Sequence, residues 1–238
     1  MQSLFFLPSL GDLETITVIG DEAHHAVKVV RIQIGEELLL ADGTGAWARG
    51  AVESTGKSTF TVKVLERGPA SEAGVELIVV QALMKSERAK EAIELLTVAG
   101  VSRIIPWQSE RSIAKWQDDL SEKWRSTSMA AAKQSRRFTL PQIEPPISTS
   151  QIAQRYGSPS NLFILHEAAT LKISQAVKDI GVGPIVLVVG PEGGLTAAEL
   201  ATLGASGGKI VLLGEQVFRS AHAGFAALSA ISALLGRW

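Results

Sequence analysis

Hydrophobic and polar positions follow one rhythm up to about residue 70 and another after it. In the first stretch the apolar runs are short. Leu13 to Ile19 is one and Glu37 to Ala41 is another, followed by Asp42-Gly43-Thr44-Gly45, residues that tolerate turn conformations and predict a hairpin into Ala46–Glu53. Gly56-Lys57 makes a second turn, after which Phe60, Val62 and Val64 alternate with Thr61 and Lys63, the period of a half-buried strand. One helix interrupts them, His24 to Arg31, with Asp21 as its expected N-cap. Short strands joined by tight turns predict a small barrel.

Arg67-Gly68-Pro69-Ala70-Ser71 reads as a linker, because Gly and Pro break both periods. Beyond it, Val75–Ala82 is almost continuously apolar, the signature of a strand covered on both faces. Glu87–Ala99 places Ala89, Ile93 and Leu96 on one helical face, with Ser86 as expected N-cap and Gly100 past its end. Strands are expected at Val101–Trp107, Leu162–Leu165, Ile185–Val189 and Lys209–Leu213, and helices near Lys172–Asp179, Ala197–Leu203 and Ala221–Leu235. Strands alternating with helices predict an α/β domain built on a parallel sheet. Trp116–Pro146 is amphipathic and basic, ending in Pro141, Pro145 and Pro146. The expected division is thus a β domain over 1–70 and an α/β domain over 71–238.

Composition narrows the class. With 46% hydrophobic and 20% charged residues, the 238-residue chain has an ordinary globular balance. The absence of Cys removes disulfides, thiolate metal sites and cysteine nucleophiles, and suits a reducing compartment. Ala221–Leu235 is too short and too interrupted for a membrane span, and MQSLFFLP has no basic residue ahead of its apolar core, so a cytoplasmic protein is expected. A formal net charge of −1 means that any nucleic-acid contact must come from local clusters.

The strongest chemical signal is Ile185–Val189 followed by Gly190-Pro191-Glu192-Gly193-Gly194-Leu195-Thr196: a buried strand, then a bend whose glycines expose backbone groups, then a helix opened by a Thr196/Glu199 capping box. Alone, the bend reads equally well as a tight connection. Leu212-Leu213-Gly214 with Gln216–Ser220, and Leu165–Ala169, deliver two further loops from strand ends, where ligands of open α/β sheets bind. Gly-x-Gly-x-x-Gly is missing between strand and helix, which excludes the dinucleotide fingerprint. Gly56-Lys57-Ser58 lacks the upstream glycine of a phosphate-binding loop.

VVGPEGGLTAAEL together with LLGEQVFRS resembles the cofactor signature of the SPOUT methyltransferases. HHAVKVVRIQIGEELLLADGTG, ALMKSERAKEAIELLTVAGVSRIIPWQSERS and AAAKQSRRFTLPQI extend the likeness, in order, over nearly the whole chain. They are similar to the RsmE-type ribosomal RNA methyltransferases, which methylate N3 of a uridine in small-subunit ribosomal RNA. The resemblance implies a trefoil-knotted parallel-sheet domain preceded by a small PUA-like β-barrel domain, assembled as a homodimer, with S-adenosylmethionine as cofactor, ribosomal RNA or the small ribosomal subunit as partner, and no metal. It implies a cofactor site from Leu165, His166, Glu167, Gly190, Pro191, Glu192, Gly193, Gly194, Leu213, Gly214, Val217, Phe218 and Ser220, with Arg219 as catalytic candidate, holding the developing uridine anion.

The chain departs from the family pattern in places. Arg219-Ser220-Ala221-His222-Ala223 stands where the family has Arg-x-Glu-Thr-Ala, Gln216 stands where it has Arg, and Ser3-Leu4 precedes Phe5-Phe6 where it has Arg before the aromatic pair. These departures keep two other functions open: a SPOUT enzyme acting on another RNA nucleotide, and an RNA-binding member that has lost catalysis. Among individual residues, Glu192 suits either loop ordering or contact with the cofactor's cationic end. His222 reads as a helix-surface residue, and His24-His25 as a structural pair, since adjacent helical residues diverge. Lys28, Arg31, Lys133, Arg136 and Arg137 are the expected RNA contacts, the last three within the densest basic cluster. Ala223, Gly224, Ala226, Ala227, Ala230 and Ala233 give the last helix small faces that permit close approach of another element, so this helix is expected at the dimer interface.

Overall fold

The computed structural model describes residues 2–69, 74–157 and 161–238. The chain divides into two compact units: Met1–Glu72 with Ala132–Leu140, and Ala73–Ala131 with Pro141–Trp238. Ala70 and Ser71, and with them the expected boundary, lie outside the described residues. The stretch 132–140 was expected in the second domain but packs with the first.

In the first unit, β1 (Leu4–Phe6), β2 (Thr15–Ile19), β3 (Glu37–Ala41), β4 (Trp47–Thr55) and β5 (Thr59–Gly68) form a sheet ordered β1-β3-β4-β5-β2. β1 runs parallel to β3 and the other pairs are antiparallel. In β2 the alternation holds residue by residue: Ile16 and Val18 are buried, while Thr15, Thr17 and Ile19 are exposed. Between β2 and β3, α1 (Gly20–His24) runs on into a π-helical segment, His25–Val30. Its Ala23 and Ala26 fill the core alongside Phe5, Leu38, Leu40, Phe60 and Val62. Among the described residues no pairing joins β1 to β2, so the barrel-like sheet stays open there. Asp21 does not cap this helix. Ile19 is the N-cap, and Asp21 lies in the first turn, where its charge complements the helix dipole. Arg67 and Gly68, expected in the linker, complete β5 opposite Ala48 and Trp47.

The second unit runs β6 (Leu77–Ala82), α2 (Ser86–Val98), β7 (Arg103–Trp107), α3 (Asp119–Ser135, its last residues in the first unit), β8 (Gln142–Ile143), α4 (Thr149–Tyr156), β9 (Asn161–Leu165), α5 (Ile173–Ala176), β10 (Ile185–Val189), α6 (Ala197–Ala205), β11 (Lys209–Val211) and α7 (Ser220–Leu234). All six strands pair in parallel, in the order β11-β9-β10-β6-β7-β8. Alternate residues of one strand feed separate cores. Leu77 and Val79 pack with α2, α5 and α7, while Ile78 and Val80 pack with α4 and α6. That is why these strands read as unbroken apolar runs. Gly224 lets α7 lie directly on α2, since a Cβ there would come within 2.9 Å of Leu96 Cδ2. Ser86 is the first residue of α2 rather than its cap; Lys85 is the N-cap and makes no side-chain cap. α4 was not expected. Its signal is the capping box of Ser148 with Gln151.

Candidate active site

β11, β9 and β10 are neighbours in a parallel sheet, so the loops leaving their carboxyl ends emerge side by side. Residues 165–167, 190–194, 213–214 and 217–220 all line one cleft of about 700 Å³. It is a volume typical of small-molecule sites. The bend after β10 is set by its own turn: Gly194 N–H donates to Pro191 O at 2.9 Å, and Gly194 has φ +70°, a backbone state that side-chain-bearing residues rarely adopt. Thr196 and Glu199 then cap α6 reciprocally, as expected.

Two of the loops are bonded to each other. Ser220 Oγ donates to Gly190 O at 2.5 Å and accepts from the Nε2 of buried Gln81 at 3.3 Å. Ser220 is itself buried, so its hydroxyl fixes the wall of the cleft. Leu212 is held on the other side, its N–H donating to Leu171 O at 2.8 Å and its O accepting from Ile173 N–H at 2.9 Å.

The cleft carries mixed charge. Glu167, Glu192 and Glu215 line it, as do Arg88, Arg111 and Arg219. Arg219 is the N-cap residue of α7 and is exposed; no partner for its guanidinium occurs among the described residues. Arg88 and Arg111 were not singled out from sequence, although both lie in segments that carried the family likeness. Arg111 donates to Gly193 O at 2.8 Å. Arg88 donates to Glu91 Oε2 at 2.9 Å, and the same carboxylate's Oε1 is 2.7 Å from His222 Nε2. The contact with His222, then that with Arg88, holds the Glu91 carboxyl below its ordinary value. His222 therefore ties the first turn of α7 to α2.

The expected RNA contacts all lie in the first unit. Lys28 and Arg31 are exposed, on and just after the π-helical segment. Arg31 (φ 61°) and Arg136 (φ 54°) are the non-glycine residues with left-handed backbone among the described residues. Arg137 Nε donates to Thr139 Oγ1 at 2.8 Å. Lys133 Nζ is 2.5 Å from Glu22 Oε1, and the side chains are only 23% and 20% exposed. Such a pair anchors the 132–140 segment. No group of three or more His, Asp or Glu side chains suited to a metal occurs among the described residues, and no helix there is long and apolar enough to cross a membrane.

A parallel sheet with a cleft at its strand ends, in a chain that opens with a small β unit, defines an α/β protein with a ligand site where open parallel sheets carry theirs. The RNA methyltransferase domain model matches residues 71–232, and the RNA methyltransferase PUA domain model matches 18–65. The ribosomal RNA small subunit methyltransferase E of Mycobacterium tuberculosis is 39% identical over 244 residues, covering 99% of this chain and 93% of its own. That of Bacillus subtilis is 29% identical and covers 92% and 90%. The crystal structure of the Neisseria gonorrhoeae enzyme of that name, bound to S-adenosyl methionine, matches with a TM-score of 0.88 at 25% identity and covers 98% of both chains. The chain belongs to the ribosomal RNA small subunit methyltransferase E family.

Proposed function

We propose that this protein transfers a methyl group from S-adenosylmethionine to N3 of a uridine in small-subunit ribosomal RNA, in the cytoplasm. One observation carries the reading: three strand-end loops meet in a single cleft, and two of them are bonded to each other through Ser220 and Gly190. The lining suits the cofactor. Glu167, Glu192 and Glu215 offer negative charge to its cationic groups, Leu165, Leu213 and Phe218 offer apolar contact to a base, and the glycine bends expose backbone donors and acceptors. When bound, the cofactor supplies an electrophilic methyl group.

The chain's own contribution is positioning and charge. N3 of uridine becomes a nucleophile when it loses its proton. Arg219, at the N-terminus of α7 where a helix favours anions, holds the negative charge that then appears on the base. Glu192 orders the bend or meets the cofactor's cationic end. Lys28, Arg31, Arg136 and Arg137 hold RNA phosphates; Arg31 and Arg136 each stand just past a helix end, in the left-handed backbone that ends it.

The SPOUT class, its trefoil knot and the homodimer belong to the same proposal. In support of the knot, the chain after β11 is bonded at Leu212 to the 171–173 stretch and at Ser220 to the Gly190 bend. In support of the dimer, Ala223, Ala226, Ala230 and Ala233 form a small-residue stripe on the less buried side of α7. Sedimentation as a monomer at micromolar concentration rejects the dimer.

A labelled-methyl assay on isolated small ribosomal subunits tests the function. Arg219→Ala is expected to lower turnover at least about a hundredfold while cofactor affinity stays within about tenfold. Unchanged turnover rejects the role of Arg219. Cofactor binding without transfer by the unaltered protein favours an RNA-binding member that has lost catalysis, and transfer to another base favours a different target.

A further inference from the structure

Two interactions reach the β10–α6 connection from a part of the chain that precedes it by some eighty to ninety residues, and a third closes the connection on itself. Arg111 Nη1 donates to Gly193 O at 2.8 Å. The preceding residue, Glu110, donates its backbone N–H to Glu199 Oε1 at 2.9 Å. Glu199 Oε2 accepts the Thr196 N–H at 2.9 Å. Glu199 is only 2% exposed, a carboxylate buried deeper than a helix cap requires, and its two oxygens are divided between the two loops. The loop holding Arg111 is further fixed by a turn, Ser112 N–H to Ser109 O at 3.1 Å, and by a 2.8 Å contact between the two hydroxyls. The bend itself has one internal bond, Gly194 N–H to Pro191 O, and two adjacent glycines that give it wide conformational freedom. Without an external partner, such a bend spends much of its time in shapes that do not match a ligand.

We propose that Arg111 is a positioning residue of the cofactor cleft: its guanidinium fixes the Gly193–Gly194 bend in its binding shape, and Glu199 sets the place from which Arg111 acts. The inference rests on the reading of this cleft as the cofactor site. A charge-assisted bond to a carbonyl selects one peptide orientation, and the buried carboxylate makes that selection rigid by joining both loops.

The test compares the full-length protein with Arg111→Ala, Arg111→Lys, Glu199→Gln and the double variant Arg111→Ala/Glu199→Gln. In cofactor-free protein, the Gly194 amide should exchange its hydrogen faster in Arg111→Ala, by about tenfold. Calorimetry with S-adenosylmethionine should show affinity lowered about tenfold, largely restored by Lys, which keeps a donor and a charge. In the methyl-transfer assay the KM for cofactor should rise while kcat and the KM for RNA change less than about threefold. Glu199→Gln should act in the same direction, and the double variant should be no worse than the poorer single one within about twofold, because the two residues act in series. Unchanged Gly194 exchange and cofactor affinity in Arg111→Ala overturn the proposal, as does a defect confined to the KM for RNA or strictly additive losses. Should Glu199→Gln fail to fold, the exposed Arg111 pair of variants decides alone. Failure of the unaltered protein to bind cofactor sinks the functional reading instead, and Gly194 exchange still decides whether Arg111 holds the bend.

Discussion

Glu144 Oε1 accepts from Arg103 at 3.0 Å, and its Oε2 accepts from Arg155 at 2.6 Å. Arg103 also bridges to both oxygens of Glu76. Burial by itself would raise the Glu144 carboxyl, but the bonds from Arg155 and Arg103 outweigh it and hold the group below its ordinary value. A carboxyl depressed in the folded state stabilises the fold above the unfolded value. The contribution fades as pH falls through the folded one. Glu144→Gln is therefore expected to cost about 1–3 kcal/mol at neutral pH. Urea titrations at pH 7 and in acid should show the gap between variant and parent narrowing on the acid side. Arg136 gives the opposite dissociation. Its left-handed backbone costs roughly 1 kcal/mol, so Arg136→Gly should leave stability level or slightly higher while weakening RNA binding. A loss of both would mean that this arginine is structural. His222 illustrates what single residues conceal: in the sequence it is a lone histidine on a helix, and its partner Glu91 lies 131 residues earlier.

At the scale of elements, the strands buried on both faces were plain from their unbroken apolar runs, and β3 to β5 from alternation and turn residues. Short elements escaped. β1 has three residues and is held by parallel pairing to β3, a long-range bond with no local signature. β11 ends at Val211 because Leu212 bonds to the 171–173 stretch, which curtails the strand expected to reach Leu213. The caps placed at Asp21 and Ser86 were one or two residues off because the preceding extended residue, not the polar one, ends the non-helical backbone. The cleft was largely legible because its loops carry contiguous motifs; Arg88 and Arg111 were not, because only the sheet order brings the start of α2 and the loop after β7 to it. The small residues of α7 also split in two. Gly224 and Ala227 pack inward while the alanine stripe stays less buried. Gly224→Val should thus cost about 1–3 kcal/mol in urea unfolding by overpacking against Leu96.

For the whole molecule, a net charge of −1 leaves RNA binding to local clusters. Arg31→Ala and Arg136→Ala should each reduce the slope of log affinity against log salt by about one, uniformly across RNA sequences. Lys133→Ala should leave that slope alone and lower stability instead, since its charge already faces Glu22. Phe138 stacks on Trp47 with ring centroids 5.3 Å apart, and Leu140 N–H donates to Gly43 O at 2.8 Å, so the N-terminal unit recruits a segment made some sixty residues after its own last strand. A ribosome that has released only the first 72 residues has produced an unfinished module whose tryptophan face awaits its lid. Completion must wait until much of its catalytic neighbour has also left the exit tunnel, so birth order couples the maturation of the two halves. A fragment ending at Glu72, whose one tryptophan is Trp47, should accordingly emit as a solvent-exposed indole, and a synthetic peptide spanning 132–140 should shift that emission to the blue.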